Sequence, residues 1–158
     1  MEIITDRLII KDTTINDVEL LLKMDKQEET QRFLGGVKNK TKEERIAFLE
    51  KKEKKLKDGI VYPFTVFLKD GTKVGFIDLK KVDDIYELSY IFDFDYCNNG
   101  YCTEACKIVL DTLNINKVFA YSLKENNGSR RVLEKLGFKY IDTVNRDNSE
   151  FLYYEREV

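Results

Sequence analysis

Near Asp93 the hydrophobic pattern of the sequence changes, and the change separates two kinds of structure. Before it, Tyr62–Leu68, Lys73–Val82 and Ile85–Asp93 have the composition of apolar strands joined by short turns. The first turn contains Asp70-Gly71, a pair typical of β-hairpins because both residues tolerate a left-handed backbone. These segments predict an antiparallel meander of three strands.

After the meander, predicted strands alternate with predicted helices. In order these are helix 103–113, strand 118–122, helix 129–136 and strands 138–144 and 151–154. Gly137 follows the second helix, where glycine commonly ends a helix in the left-handed conformation. Antiparallel strands followed by this alternation predict a mixed sheet of the α/β (α+β) class. The chain has no linker-like segment, so we expect one domain over residues 1–158.

The N-terminal part adds a strand at Arg7–Lys11 and a helix opened by Thr14. A second short helical stretch ends at Gly35-Gly36, and a long charged helix follows over 41–57. Thr41 with Glu44 three residues later is a capping-box pattern, which predicts where the long helix begins.

Charge and cysteine content restrict the class of protein. The net charge of −2 gives no electrostatic support for nucleic-acid binding. No apolar run approaches the roughly 20 residues that cross a bilayer, and Met1–Asp6 lacks the basic-then-apolar pattern of a signal peptide. Cys97, Cys102 and Cys106 are odd in number and closely spaced, which is typical of reduced thiols. We expect a cytoplasmic protein that binds neither nucleic acid nor membrane.

The sequence contains no histidine, which removes the commonest general base and every Ser–His or Cys–His nucleophile pair. Cys102 and Cys106 are four residues apart, but no third metal ligand is evident, so we expect no metal site. Proton transfer in such a protein must use a carboxylate, a tyrosine or a relayed water.

A small polar loop, Asn98-Asn99-Gly100, follows the last meander strand and precedes a helix. The first turn of a helix has unpartnered N–H groups and a partial positive charge, and this loop can turn further N–H groups toward one point. Such a site suits a pyrophosphate without lysine, and the loop has no Lys or Arg. The alternative is an ordinary strand-to-helix turn.

A second polar turn precedes the helix 129–136. Asn126, Asn127 or Ser129 can cap that helix. By itself this segment is also explained as a capped amphipathic helix.

Taken in order along the chain, these segments resemble the GNAT superfamily of N-acetyltransferases, in particular the branch with ribosomal-protein alanine acetyltransferases and spermidine acetyltransferases. Thr5–Lys11 resembles the first strand of that branch, Val74–Ile77 its third and Glu87–Tyr90 its fourth. Asn98–Ala105 is similar to its pyrophosphate loop, usually a Gly-x-Gly-Tyr-Ala-Thr-Glu-Ala type run. Asn126–Phe138 is similar to its later helix.

The resemblance implies a mixed sheet of about seven strands, splayed after the fourth, with about four helices. It implies that acetyl-CoA binds with its pantetheine arm in the splay and its pyrophosphate on the loop amides. The residues implied in this binding are Ile91, Phe92, Asn98, Asn99, Gly100, Tyr101, Cys102, Thr103, Asn126 and Ser129.

Two positions depart from the family pattern. Cys97 stands where a basic residue, glutamine or tryptophan is usual, so pyrophosphate binding depends more on backbone dipoles. Leu133 stands where many members place a tyrosine acid, which leaves Ser129 as the candidate acid for the departing thiolate. The alternative role for Ser129 is a helix cap alone.

Glu87 is the candidate general base, because its strand parity places it on one face with Ser89 and Ile91. The alternative is an exposed or salt-bridged glutamate. Asp93 and Asp95 lie close by in sequence, and an acidic, aromatic pocket would favour a cationic acceptor.

The interpretation is therefore an N-acetyltransferase that moves an acetyl group from acetyl-CoA directly to a primary amine, on a protein N-terminus or a small molecule. An acetyl-cysteine intermediate at Cys102 is the less favoured route, since a small packing residue is usual there. The alternative function is a catalytically silent CoA-binding module or sensor. Either a monomer or a homodimer fits the sequence.

Overall fold

The computed structural model describes residues 1–157, which form one eight-stranded sheet flanked by five α-helices. The strands are β1 (Glu2–Ile4), β2 (Leu8–Asp12), β3 (Val61–Leu68), β4 (Lys73–Val82), β5 (Ile85–Phe92), β6 (Lys117–Leu123), β7 (Lys139–Arg146) and β8 (Ser149–Glu157). The helices are α1 (Val18–Asp25), α2 (Glu28–Gln31), α3 (Lys42–Lys57), α4 (Tyr101–Thr112) and α5 (Asn127–Lys135). The strand order is β1-β2-β3-β4-β5-β6-β8-β7, and among these described strands only β5 and β6 pair in parallel.

The predicted meander is confirmed, because β3, β4 and β5 pair antiparallel in sequence order. The capping box of Thr41 and Glu44 opens α3, and Gly137 follows α5 with φ of 88°. Thr14 caps a short 3-10 turn, Ile15–Asp17, that leads into α1. These features were predictable because each is set by residues a few positions apart.

The sheet has eight strands where about seven are expected, since β1 adds a short edge strand. β1 has three residues, of which only Ile3 is buried. Three residues are too few for a period-two pattern to be recognised in the sequence. The fifth helix is α2, a single turn within the short helical stretch expected before Gly35-Gly36. The mixed α/β architecture itself is confirmed.

Two helices begin earlier than expected. α4 begins at Tyr101 and α5 at Asn127, each two residues before the predicted start. The shift of α4 brings its N-terminus directly onto Gly100, which has φ of 79°. The polar loop therefore leads straight into the positive end of a helix.

The helices cover both faces of the sheet. On one face α1 and α3 pack Met24 and Leu49 against Phe76 of β4. On the other face α4 and α5 pack into the larger apolar cluster, which includes the fully buried Val109 and Leu133. No helix within residues 1–157 is long and apolar enough to cross a membrane.

Candidate functional site

Strands β5 and β6 separate within the sheet. They pair only at Tyr86–Val118 and Glu87–Phe119. Beyond this point β5 continues to pair with β4 as far as Phe92, and β6 pairs with β8 as far as Leu123. Within residues 1–157, the β6-facing edge of β5 after Glu87 thus has no strand partner. The predicted splay is confirmed, and it leaves backbone groups available to an extended ligand.

The loop after β5 presents a run of main-chain amides. No acceptor in the part of the chain that the structure describes receives a hydrogen bond from the N–H groups of Asn98–Thr103. Asn98 and Gly100 both have positive φ, 64° and 79°, which curls the loop ahead of α4. Because α4 spans 12 residues, its N-terminal partial charge adds to these amides. The arrangement can hold an anion such as a diphosphate.

Arg7 reaches this loop from the turn between β1 and β2, 92 residues away in sequence from its partner Asn99. Its Nη1 donates to the Asn99 carbonyl oxygen at 2.9 Å, and its Nε donates to Oε1 of Glu104 at 2.8 Å. The guanidinium carbon also lies 4.7 Å from the centre of the Tyr101 ring. No pattern within the loop indicates Arg7, so the sequence alone suggests a loop that relies on backbone dipoles.

Glu104 completes this contact in the first turn of α4. Thr5 donates to its Oε2 at 2.6 Å, and the Arg7 Nη2 lies 2.7 Å from Oε1. Burial acts to raise the pKa of Glu104, but the hydrogen bonds from Thr5 and Arg7 outweigh it and hold the pKa below its ordinary value. Residues from the start of the chain therefore hold the loop and α4 in place as a charged network.

Asp93 and Asp95 anchor the end of β5. Asp93 is fully buried and accepts from Gln27 Nε2 at 2.7 Å, and the Lys23 ammonium lies 2.7 Å from Asp93 and 3.1 Å from Asp95. Burial acts to raise the pKa of Asp93, but the hydrogen bonds from Lys23 and Gln27 lower it below its ordinary value. One ammonium group, that of Lys23, is thus shared by both carboxylates, and their part in an acidic acceptor pocket stays a prediction.

The start of α5 faces β5 through a pair of hydroxyl groups. Asn126 Oδ1 accepts from the Ser129 amide at 3.1 Å, so Asn126 is the helix cap. The Ser129 Oγ lies 3.0 Å from the Tyr90 hydroxyl, which is also 3.1 Å from the Ser129 carbonyl oxygen. Burial raises the pKa of Tyr90 well above its ordinary value, so this phenol is neutral. Leu133, one turn further on, is fully buried.

Glu87 lies where β5 and β6 begin to separate. It is half-buried and pairs in register with Lys80 of β4 and Phe119 of β6. Its carboxylate takes part in no ion pair within residues 1–157. The geometry leaves Glu87 able to accept a proton, either directly or through water.

Asp78 is a second carboxylate on this face of the sheet. It lies opposite Ser89, closer to the end of β5 than Glu87, and forms an ion pair with Lys52 of α3. Its position in the otherwise apolar strand Val74–Leu79 is the one signal that the sequence offers for it. The ion pair makes Asp78 less available as a proton acceptor than Glu87.

The three cysteines are all free thiols. Burial raises the pKa of Cys102 well above its ordinary value, and its neighbour Cys106 contributes to the shift. A thiol in this state is a weak nucleophile, which favours a packing role for Cys102. Within residues 1–157, no cluster of three or more His, Cys, Asp or Glu side chains is arranged to hold a metal ion.

A cavity of about 350 Å³, here called the α1/α3 cavity, lies between those two helices and the sheet. Its apolar lining includes Leu21, Leu34, Phe48, Leu49, Phe76 and Ile91. Ile91 belongs to the part of β5 that has separated from β6, so the cavity lies directly beside the splay. Asp78 also lines the cavity, whereas Glu87 is not among its lining residues.

Comparisons with known proteins agree with this geometry. The model of the acetyltransferase (GNAT) domain family matches residues 7–139. The sequence is 28% identical over 147 residues to an uncharacterized N-acetyltransferase, YnaD, of Bacillus subtilis (strain 168), covering 88% of this chain and 83% of that protein.

Solved structures share the fold. A GNAT-family acetyltransferase from Bacillus anthracis superposes with a TM-score of 0.83 at 24% identity, covering 99% of this chain and 98% of that chain. Spermidine N-acetyltransferase from Vibrio cholerae, solved with CoA and spermine, has a TM-score of 0.82 at 14% identity, covering 97% of this chain and 96% of that chain. With the family model spanning most of the sequence, the chain belongs to the GNAT family of acetyltransferases and is an acyltransferase.

Proposed function

We propose that the protein transfers the acetyl group of acetyl-CoA to a primary amine, either a protein N-terminus or a small amine. The observation that carries the proposal is the adjacency of two unpaired backbone surfaces, the amides of Asn98–Thr103 and the β5 edge beyond Glu87. Acetyl-CoA carries a diphosphate and an extended arm with two amide groups, so its chemistry complements both surfaces.

Each part of acetyl-CoA would contact a different part of this chain. The amides of Asn98, Asn99, Gly100, Tyr101, Cys102 and Thr103 would hold the diphosphate. The backbone of Ile91 and Phe92 would pair with the pantetheine arm, and Asn126 and Ser129 would face its thiol end. The β5 edge and the loop amides fit this ligand because neither has a partner among residues 1–157.

When bound, acetyl-CoA supplies an activated thioester. The amine nitrogen forms a bond to the acetyl carbon, the carbon–sulfur bond breaks, and sulfur keeps the electron pair. An ammonium ion cannot attack, so Glu87 would accept the amine proton directly or through water. A β5 amide can donate to the oxyanion, and the Ser129 hydroxyl can donate to the departing sulfur.

The alternation of side chains along β5 supports direct transfer. Ile91 points to the α1/α3 cavity, while Tyr90 contacts Ser129 on the α4/α5 face. An amine arriving from the cavity would thus approach from one side of the strand, and the sulfur would receive its hydrogen bond from the other. Such an arrangement needs no acetyl-enzyme, consistent with the raised pKa of Cys102.

The test has two parts. CoA release from acetyl-CoA is followed with a thiol reagent across a panel of amines and N-terminal peptides, and products are identified by mass spectrometry. Amine-dependent release of CoA supports the proposal. CoA binding without release for any amine would instead support the silent binding module, for which no feature of the site gives specific support.

A glycine pair tests the loop directly. Gly100→Ala places a side chain at φ of 79° beside the Arg7 guanidinium, 3.4 Å away, and we expect acetyl-CoA to bind at least about fivefold more weakly. Gly71→Ala is the matched control, because Gly71 has a similar φ of 95° in a remote hairpin. Unchanged affinity in Gly100→Ala would contradict the role of the loop.

The three free thiols also support a reducing compartment, and we propose that the protein acts in the cytoplasm.

A further inference from the structure

The carboxylates that line the α1/α3 cavity are already paired within the protein. Asp25 and Asp78 are the two acidic residues among its lining side chains. Arg45 donates two hydrogen bonds to Asp25, at 2.6 and 2.7 Å, and Lys52 pairs with Asp78. An incoming ammonium group would therefore find no spare carboxylate among the described lining residues.

A third cation makes the lining positive overall. The Lys38 ammonium donates to the backbone oxygens of Leu34 and Gly36, at 2.8 and 3.3 Å, and to the side chain of Gln31. Among the described residues that line the cavity there are thus three cations, Lys38, Arg45 and Lys52, for two carboxylates. The electrostatic environment of the cavity thus opposes a second positive charge.

The exposed aromatic ring of the cavity, Phe48, already has two cations over it. Arg45 and Lys52 lie over the Phe48 ring, with the charged groups 5.2 and 5.3 Å from its centre. Aromatic faces bind cations only where they are open to them. Phe48 therefore offers an incoming ligand its ring edge, which is electropositive and does not attract a cation.

We propose that the α1/α3 cavity receives the body of the acceptor, and that the acceptor is a primary amine whose far end is uncharged and apolar. This inference rests on the proposed function and narrows its acceptor. A volume of about 350 Å³ is at the small end of ligand sites and suits one alkyl chain or ring. A polyamine would have to bury a second ammonium among cations, which is costly.

The same charges favour the reaction. A positive environment lowers the pKa of a bound amine and so increases its neutral, nucleophilic fraction. Ile91 lines the cavity with its side chain, and its backbone lies on the free part of the β5 edge. An amine whose apolar end fills the cavity would thus present its nitrogen toward the splay.

Hexylamine and hexane-1,6-diamine are a matched pair of probes, because they share a six-carbon chain with one primary amine and differ by the second ammonium group at the far end of the diamine. Each is titrated calorimetrically into the CoA-saturated protein, with a correction for the two equivalent ends of the diamine. We expect hexylamine to bind at least about tenfold more tightly. Acetylation rates for the two amines, and for spermidine, should follow the same order.

Lys52→Met tests the electrostatic cause. Methionine keeps the apolar stem of Lys52 but leaves the Asp78 carboxylate without its cation. The preference of the cavity for hexylamine over the diamine should therefore fall by about fivefold. Lys55→Met is the control, since Lys55 is exposed on the same helix and is not part of the cavity lining. A thermal melt of each variant shows whether it is folded, and the wild-type comparison stands independently of both.

Diamine binding as tight as hexylamine binding, or no binding of hexylamine, overturns the inference. If hexylamine binds as expected but no amine is acetylated, the proposed function fails while the cavity assignment survives. If spermidine is the better substrate, the proposed function stands and the apolar acceptor is wrong.

Discussion

The hydroxyl of Tyr90 lies 3.0 Å from that of Ser129, across the gap between β5 and the first turn of α5. Each hydroxyl has a single proton. If one hydroxyl donates its proton to the other, the second acts as the acceptor and can donate its own proton elsewhere. The Tyr90 proton can go to the Ser129 carbonyl oxygen, 3.1 Å away, or to the Ser129 Oγ. Only when Tyr90 donates to the Oγ is the Ser129 proton free to point at a third atom. Tyr90 is thus a positioning residue for the hydroxyl assigned to the departing sulfur.

Tyr90→Phe should lower kcat by about two- to tenfold, the value of one hydrogen bond, and leave the Kd of CoA unchanged. In a Ser129→Ala background the same substitution should have little further effect, because the hydroxyl that it orients is gone. Steady-state kinetics and calorimetry on the four proteins measure this coupling.

Tyr86→Phe is the control for that experiment, since Tyr86 lies on the same strand and face but is not the tyrosine that is hydrogen-bonded to Ser129. Additive losses in the double variant would show that Tyr90 acts on stability or packing instead.

Arg7→Gln should weaken acetyl-CoA binding by about three- to tenfold, with the larger loss at low salt. The loop loses the contact to Asn99 and a positive charge, while the overall fold loses little, since the Arg7–Glu104 pair is partly exposed. Arg7→Lys should recover only part of the affinity, because lysine lacks the planar fork.

Binding of CoA at several salt concentrations provides the measurement. Lys107→Gln removes a charge from another partly exposed ion pair, with Asp111 on α4, and serves as the control. Equal effects of the two substitutions would mean that Arg7 acts through net charge alone.

Glu87→Gln should reduce kcat by about a hundredfold, the lower range for loss of a general base, without changing acetyl-CoA affinity. Asp78→Asn is the informative comparison, since Asp78 shares this face but is paired with Lys52. Wild-type turnover in Glu87→Gln, together with a large loss in Asp78→Asn, would transfer the role to Asp78.

Asp93→Asn should destabilise the protein at pH 7 by about 1–3 kcal/mol, since the buried carboxylate loses its charged contact with Lys23. The folded-state pKa of Asp93 lies below its ordinary value, so its stabilising contribution is present above about pH 4 and is lost as the pH falls through the folded-state pKa. The wild-type protein should therefore approach the variant in stability at low pH.

Thermal melts at pH 7, 5 and 3 check this. Asp95→Asn should change the melting temperature far less at every pH, because the Asp95 side chain is 61% exposed. A difference between wild type and Asp93→Asn that persists at pH 3 would point to a packing effect.

Much of the fold follows from short-range patterns. The meander, the capping box at Thr41, the Gly137 stop and the amide-rich loop before α4 each depend on residues close together in sequence. Strand alternation and helix capping relate residues two to four positions apart, so a short stretch of sequence is enough to predict them. The resemblance to a family then supplied the splay after the fourth strand, which no local pattern predicts.

Other features of the site depend on contacts between distant segments. Arg7 meets Asn99 across 92 residues, Tyr90 meets Ser129 across 39, and Lys52 meets Asp78 across 26. Such pairs form only when packed helices and strands bring their side chains together, and nothing in the flanking residues identifies the partner. The charge of the α1/α3 cavity is likewise set by tertiary pairing, because Arg45 meets Asp25 and Lys52 meets Asp78 only in the folded chain. The acidic residues are visible in the sequence, but their partners are not.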